Sequence, residues 1–221
     1  DVGGATVATK SWGYDLEARL TQASEAITLY GLTYDNLDRL TGQTQLVLTV
    51  GDPVSIKSVA MAMGYDAASR RTSLSASRTI VPGGTTLDFS NTYTFDDLDR
   101  QTSITQQGQT GGAAVGPKHV TFGYNQTGQL TAINRYESTG ASNLVGLSRL
   151  TYDLAGRIDT IWHITMGGAG AFYDYNFDRA GRLTQMAYSN FYTSGQNDTA
   201  TFTYDDRSQL LGTTHTNTAA Y

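Results

Sequence analysis

The chain has 221 residues, 16% of them charged, and a formal net charge of −5. Nucleic-acid binding needs a positive stripe that releases counterions from phosphates, and the sequence has none, so this class of partner is excluded. The absence of cysteine excludes disulfides, thiolate chemistry and cysteine-based zinc sites. No apolar run approaches the roughly 18 residues of a membrane-spanning helix, so we expect no membrane span.

A short motif, an aromatic residue followed by Asp or Asn, recurs eight times along the chain. In chain order the copies are GYDLEARLT, TYDNLDRLT, GYDAASRRT, TFDDLDRQT, GYNQTGQLT, TYDLAGRID, NFDRAGRLT and TYDDRSQLL. The repeat-anchor aromatics are Tyr14, Tyr34, Tyr65, Phe95, Tyr124, Tyr152, Phe177 and Tyr204. Successive anchors lie 20, 31, 30, 29, 28, 25 and 27 residues apart. This spacing is typical of structural repeats joined by loops of variable length.

The acidic position of each motif predicts a turn. Asp at the first position of a type I turn accepts hydrogen bonds from the turn's own amides. Gly at the fourth position, as in Gly128, Gly156 and Gly181, supplies the left-handed conformation of a hairpin bulge. Ala18 and Ser69 fit that position less well, as does Ser208. The predicted turn-capping residues are Asp15, Asp35, Asp66, Asp96, Asn125, Asp153, Asp178 and Asp205.

The residues on either side of each turn predict strands. Apolar residues before the turn recur with a period of two, as in Leu150 and Tyr152, which places both side chains on one face of a strand. Branched residues and Thr, which favour strands, follow the turn. Eight repeats of two strands predict an all-β fold of antiparallel β-hairpin repeats with roughly 16 strands. Such a sheet must twist, so we expect a coiled sheet, either open or forming a spiral shell or barrel, and one repeat domain over residues 1–221.

The motif resembles the RHS/YD-repeat family. The resemblance lies in the Tyr-Asp-x-x-Gly-Arg-Leu core, best seen at Tyr152-Asp153, Gly156-Arg157 and at Phe177-Asp178, Gly181-Arg182-Leu183. In that family, which includes bacterial polymorphic toxins, toxin-complex cocoons, wall-associated proteins and teneurin ectodomains, such repeats form a β-hairpin strip that spirals into a hollow shell. Family shells use more than eight repeats, so the resemblance implies a fragment of a longer protein.

The resemblance also implies a function. Family shells enclose, protect or present a partner polypeptide, so we expect a non-enzymatic structural segment of a secreted or surface bacterial protein. Unpaired strands at the edges of an open strip favour self-association. An enzyme is not indicated: His119, His163 and His215 are far apart in the sequence, and no GxSxG elbow is present.

Two binding hypotheses remain open. The column of turn Asp residues offers oxygen ligands for calcium, but a turn cap needs no metal, and we expect no cofactor. The alternative function is adhesion to glycans or cell surfaces through exposed aromatic rings. Five aromatic residues outside the anchor column are candidates for a ligand-facing surface: Trp12, Trp162, Tyr188, Phe191 and Tyr192. The recurrent Arg residues after the turns are expected to pair with neighbouring Asp residues and to pack over Tyr rings.

Overall fold

The protein is an all-β chain of antiparallel strands, as the sequence predicts. The structure, a computed structural model, describes residues 9–47, 55–81, 83–108, 115–190 and 197–217. The chain divides into two compact units, Asp1–Lys118 and His119–Tyr221. Within the described residues of each unit, every strand is antiparallel to the strands it is bonded to. No helix among these residues is long and apolar enough to span a bilayer.

Within the described ranges, sixteen strands follow one another in chain order. The first eight are β1 (Lys10–Tyr14), β2 (Leu20–Glu25), β3 (Thr28–Tyr34), β4 (Leu40–Val47), β5 (Ser55–Tyr65), β6 (Arg71–Val81), β7 (Gly84–Phe95) and β8 (Gln101–Gln106). The second eight are β9 (Lys118–Tyr124), β10 (Leu130–Tyr136), β11 (Leu144–Tyr152), β12 (Ile158–Thr165), β13 (Gly170–Phe177), β14 (Leu183–Asn190), β15 (Asp198–Tyr204) and β16 (Leu210–His215). Each repeat therefore contributes one hairpin, with the motif at its turn.

All eight motif turns have the same backbone geometry. The fourth turn residue has a positive φ in every copy, including Ala18 at 62°, Ser69 at 64° and Ser208 at 65°. The pairing register shifts by one residue just before the turn, for example between Thr151 and Tyr152. A left-handed residue combined with a register shift is the hairpin bulge that the Gly-containing copies predict. The three copies with Ala or Ser at that position adopt it as well.

The period of two gives the sheet of each unit two different faces. We call the face that carries the anchor aromatics the ring face. We call the opposite face the hydroxyl face, because it carries several exposed threonines. Exposed members of the hydroxyl face are Thr33, Thr94, Thr151, Thr201 and Thr203. The ring face carries the buried side chains of the described residues, which are those of Ala76, Ala200 and Ser148. So few buried residues mean that each unit is a single layer without a thick hydrophobic core, and its stability must depend on contacts along the sheet.

Candidate functional site: the turn ladder

Each motif turn is closed by its own first residue. In the sixth repeat the Asp153 N–H donates to the Arg157 carbonyl at 2.9 Å, and the Gly156 N–H donates to the Asp153 carbonyl at 3.0 Å. Asp153 Oδ1 accepts from the N–H groups of Ala155 and Arg157, each at 2.9 Å. One side-chain oxygen therefore satisfies two backbone donors that the turn would otherwise leave without a partner.

The same pair of backbone bonds occurs in all eight copies. In each, the side-chain oxygen accepts from the N–H groups two and four residues further along the chain. The second half of the chain repeats the arrangement. The acceptors are Asp15, Asp35, Asp66, Asp96, Asn125, Asp153, Asp178 and Asp205.

In six copies the Arg that follows the turn pairs with the Asp of its own turn. Arg70 Nε donates to Asp66 Oδ2 at 2.7 Å, and the other five pairs have nearly the same distance. This side-chain bond is the main reason that the pKa of Asp66 lies below its ordinary value. In Asp153 the backbone N–H of Arg157 contributes most, followed by its guanidinium, and the pKa is again lowered. The carboxylates are therefore held in the charged form.

Five of these Arg side chains also reach the next repeat of their own unit. Arg39 Nη1 donates to the Asp66 carbonyl at 2.8 Å, and Arg70 Nη1 donates to the Asp96 carbonyl at 3.1 Å. Equivalent bonds run from Arg19 in the first unit and from Arg157 and Arg182 in the second. Each of these five guanidinium groups thus joins its own turn to the following one, and we call the contacts of the Asp–Arg pairs within and between turns the turn ladder.

The anchor aromatics supply a second link between repeats. The guanidinium carbons of five ladder Arg residues lie 4.4–5.1 Å from the ring centroid of the following anchor. In four of the Tyr anchors the hydroxyl also reaches back: Tyr65 Oη donates to the Leu40 carbonyl at 2.9 Å, and Tyr152 Oη to the Leu130 carbonyl at 2.8 Å. Tyr34 and Tyr204 make the same bond.

The remaining anchors differ in what they can contribute. Phe95 and Phe177 stack beneath Arg70 and Arg157 but have no hydroxyl to donate. The ring of Tyr14, in the first described hairpin, is 62% exposed. Tyr124, the anchor of the fifth repeat, lies on the ring face of β9.

The fifth repeat builds the ladder without charge. Asn125 Nδ2 donates to Gln129 Oε1 at 2.8 Å, which replaces the Asp–Arg pair. Gln129 Nε2 donates to the Gly156 carbonyl of the next turn at 2.9 Å. The sequence shows both substitutions. Only the structure shows that Gln129, like the Arg it replaces, bonds both to the first residue of its own turn and to a carbonyl of the next turn.

Three of the five predicted ligand-facing aromatics lie within the described residues. Trp162 lies on the hydroxyl face, 39% exposed, with its ring 4.7 Å from that of Phe172 in an edge-on contact. Tyr188 lies on the ring face beside Tyr173, with 5.2 Å between the ring centroids. Trp12, in the other unit, is 59% exposed and pairs with Ala23. Phe191 and Tyr192 lie outside the described residues.

The described side chains contain no group of three or more residues that could hold a metal ion. The oxygens of the Asp column are occupied by backbone N–H groups and guanidinium groups, as in Asp66. A calcium ion would have to displace these donors before it could bind.

Two hydrogen-bonded contacts of histidine side chains could not be predicted from the sequence. His215 Nδ1 lies 2.6 Å from Asp198 Oδ2 across β15 and β16, and this bond, together with the Asn217 N–H, holds the pKa of Asp198 well below its ordinary value. His163 Nδ1 lies 2.8 Å from Ser148 Oγ across β11 and β12. The members of each pair are far apart in sequence, and only the register of the strands brings them together.

The fold has known structural relatives, although no family model and no curated protein matches the chain. The crystal structure of TcdB2-TccC3-TEV superposes with a TM-score of 0.64 and 17% identity over 91% of this chain and 10% of that one. The crystal structure of TcdB2-TccC3 without the hypervariable C-terminal region gives 0.64 and 18% identity over 92% of this chain and 10% of that one. The chain therefore spans a tenth of the length of these solved chains and shares with that part its fold of antiparallel β-hairpins.

Proposed function

We propose that this chain is a non-enzymatic structural segment of a secreted or surface bacterial shell of the RHS/YD-repeat type, which encloses, protects or presents a partner polypeptide. The observation that carries the proposal is the turn ladder. It joins successive hairpins through Arg–carbonyl and Tyr–carbonyl bonds and through ring stacking. Such links repeat from hairpin to hairpin, so a single-layer wall can be extended without a thick core.

Two further observations support the proposal. The fold is shared with TcdB2-TccC3, and the repeat motif resembles the family whose members include toxin-complex cocoons. Against an enzymatic role, Ser148 Oγ touches His163 as a nucleophile would touch its base, but the Ser148 side chain is fully buried. A buried hydroxyl cannot be approached by a substrate carbonyl.

Two adjacent residues on β4 provide the test, because their side chains lie on opposite faces. Thr44 is on the hydroxyl face, opposite Gly31, and Gln45 is on the ring face, opposite Tyr30. The chain has no cysteine, so Thr44→Cys and Gln45→Cys each introduce a single thiol. The full-length native protein that carries each substitution is treated with a small maleimide and, separately, with a polymer-linked maleimide.

A shell predicts that the small reagent labels both variants, whereas the polymer-linked reagent labels one of them far more slowly. The same two variants unfolded in urea serve as the control and should react alike with both reagents. Equal reactivity toward the polymer-linked reagent in the folded protein would contradict enclosure.

Glycan binding is a second candidate, favoured by the surroundings of Trp162 on the hydroxyl face. Trp162 pairs with Arg149, whose Nη1 donates to Asn134 Oδ1 at 2.9 Å. An exposed indole beside hydrogen-bonding groups is suited to stacking on a sugar ring. In a Trp12→Phe variant Trp162 is the sole indole, and its fluorescence should then respond to cellotetraose or chitotetraose. An unchanged spectrum at saturating sugar would eliminate this candidate.

A further inference from the structure

Three side chains from three neighbouring strands meet on the ring face of the second unit. Arg135 on β10 donates from Nη1 to Ser148 Oγ on β11 at 3.0 Å. The same oxygen lies 2.8 Å from His163 Nδ1 on β12. Ser148 is fully buried, whereas Arg135 and His163 are exposed. The buried hydroxyl therefore holds two exposed nitrogen-bearing side chains beside each other.

The bonds of Ser148 bear on what the cluster presents to a ligand. A guanidinium can only donate, so Ser148 Oγ accepts from Arg135 and its own proton is available for His163 Nδ1. In the tautomer that accepts this proton, neutral His163 carries its own proton on Nε2. The ring is further held by an edge-on contact with Tyr173 at 6.2 Å between centroids. In that tautomer both exposed side chains offer N–H donors.

The guanidinium of Arg135 differs from those of the turn ladder. Six ladder Arg residues pair with an Asp of their own turn, and Arg78 pairs with Asp88. Among the residues that the structure describes, no carboxylate lies within ion-pair distance of Arg135, and its bonded partner is the neutral Ser148 hydroxyl. A positive charge with spare donors is thus available for an anion.

A pocket of about 410 Å³ adjoins these donors. Arg135 and His163 line it, the other residues around it include Val145, Ile164 and Ala171, and most of the lining surface is apolar. Gly146, which is buried, also lines it, and an added Cβ there would lie 3.3 Å from the Ile164 carbonyl. The pocket is therefore largely apolar beside the two nitrogen-bearing side chains.

We propose that this pocket binds a carboxylate that carries a short apolar tail, with Arg135 and His163 as donors to the carboxylate and Ser148 as their positioning residue. A planar guanidinium suits a carboxylate because two N–H groups can donate to its two oxygens. The apolar lining accounts for the tail. The site is independent of the proposed shell role, since its residues take no part in the turn ladder.

The wild-type protein provides the first test, with butyrate as the probe and butyramide, which has the same tail but no charge, as the matched ligand. Two-dimensional amide NMR should show shifts at Gly146 and Ala171 that saturate with butyrate. Loss of a charge-assisted bond predicts that butyramide binds roughly tenfold more weakly. Equal binding of the two would overturn the proposal.

Variants provide the second test. Arg135→Gln should weaken butyrate roughly tenfold, whereas Arg149→Gln, which removes an Arg from the opposite face of the adjacent strand, should leave butyrate binding unchanged. Equal losses in both variants would also overturn the assignment.

The source of the carboxylate is distinguished by a third arm, in which acetyl-Ala-Ala-Leu is compared with its C-terminal amide. Tighter binding of the free-acid peptide than of butyrate identifies a polypeptide terminus as the ligand. Tighter binding of butyrate identifies a free organic acid. Both results support a carboxylate site. Failure of both acids to bind would refute the carboxylate site and would leave the shell proposal unaffected.

Discussion

Replacing Ala18 by Gly should stabilise the protein. Ala18 occupies the fourth position of the first motif turn with φ at 62°, the left-handed region that costs a residue with a side chain about 1–2 kcal/mol. Its side chain is exposed, so the substitution removes no buried contact. Gly loses more backbone freedom on folding, which costs about 0.5–1 kcal/mol.

The difference predicts that Ala18→Gly raises the free energy of unfolding by about 0.5–1 kcal/mol. Ala68→Gly is the matched control, because Ala68 is also an exposed turn residue but does not have a positive φ. In the control only the loss of backbone conformational entropy on folding increases, so Ala68→Gly should lower the free energy of unfolding by about 0.5–1 kcal/mol.

Urea denaturation of the full chain, followed by far-ultraviolet circular dichroism, measures both effects. The midpoint should rise for Ala18→Gly and fall for Ala68→Gly, with the slope unchanged in each. Midpoints that move in the same direction for the two variants would refute the reasoning, because the same chemical change would then act alike at positive and negative φ.

Three further predictions concern the ladder. Tyr152→Phe, which removes the bond to the Leu130 carbonyl, should cost about 1 kcal/mol, whereas Phe177→Tyr should gain a similar bond; calorimetry of both variants tests this, and a loss in both would contradict it. A double-mutant cycle on Asn125→Asp and Gln129→Arg should show favourable coupling in the melting temperature, since the pair recreates the charged contact; additive effects would exclude it. Six turn carboxyls have a folded-state pKa below the unfolded value, so they stabilise the fold fully above about pH 4 and lose this contribution as the pH falls through their folded values. Thermal unfolding from pH 6 to pH 2 should show a steep decline in melting temperature below about pH 4, and a flat profile there would argue against the ladder.

The fold class could be predicted because the same turn and strand pattern occurs in eight copies along the sequence. The interval between anchors, the period of two before Tyr152 and the turn chemistry of Asp153 and Gly156 all indicate hairpins, and the structure has the expected sixteen strands. The copies with Ala18 or Ser69 match the turn preferences less well in sequence, yet they adopt the same positive φ. The hydrogen bonds that the turn amides donate to Asp15 and Asp66 outweigh the local cost of a positive φ at one residue.

The partners of the side chains could be predicted only within a turn. Asp and Arg four residues apart are neighbours in any copy of the motif, but the carbonyl that Arg70 Nη1 reaches belongs to Asp96 in the next hairpin. The contact between Ser148 and His163 depends on the register of β11 and β12. That register follows from backbone pairing, and no residue type in either strand indicates that the two will meet.

The choice of acceptor explains how repeats can drift in sequence and still stack. Arg39 and Gln129 both reach a carbonyl of the next turn, and Tyr65 reaches the Leu40 carbonyl. Backbone carbonyls are present whatever residue occupies the position, so a substitution in one repeat does not remove the acceptor that its neighbour needs. What each repeat must retain is a donor after the turn and a flat ring before it, and these are few constraints. A sheet built in this way can keep its fold at the 17–18% identity found between this chain and the TcdB2-TccC3 structures.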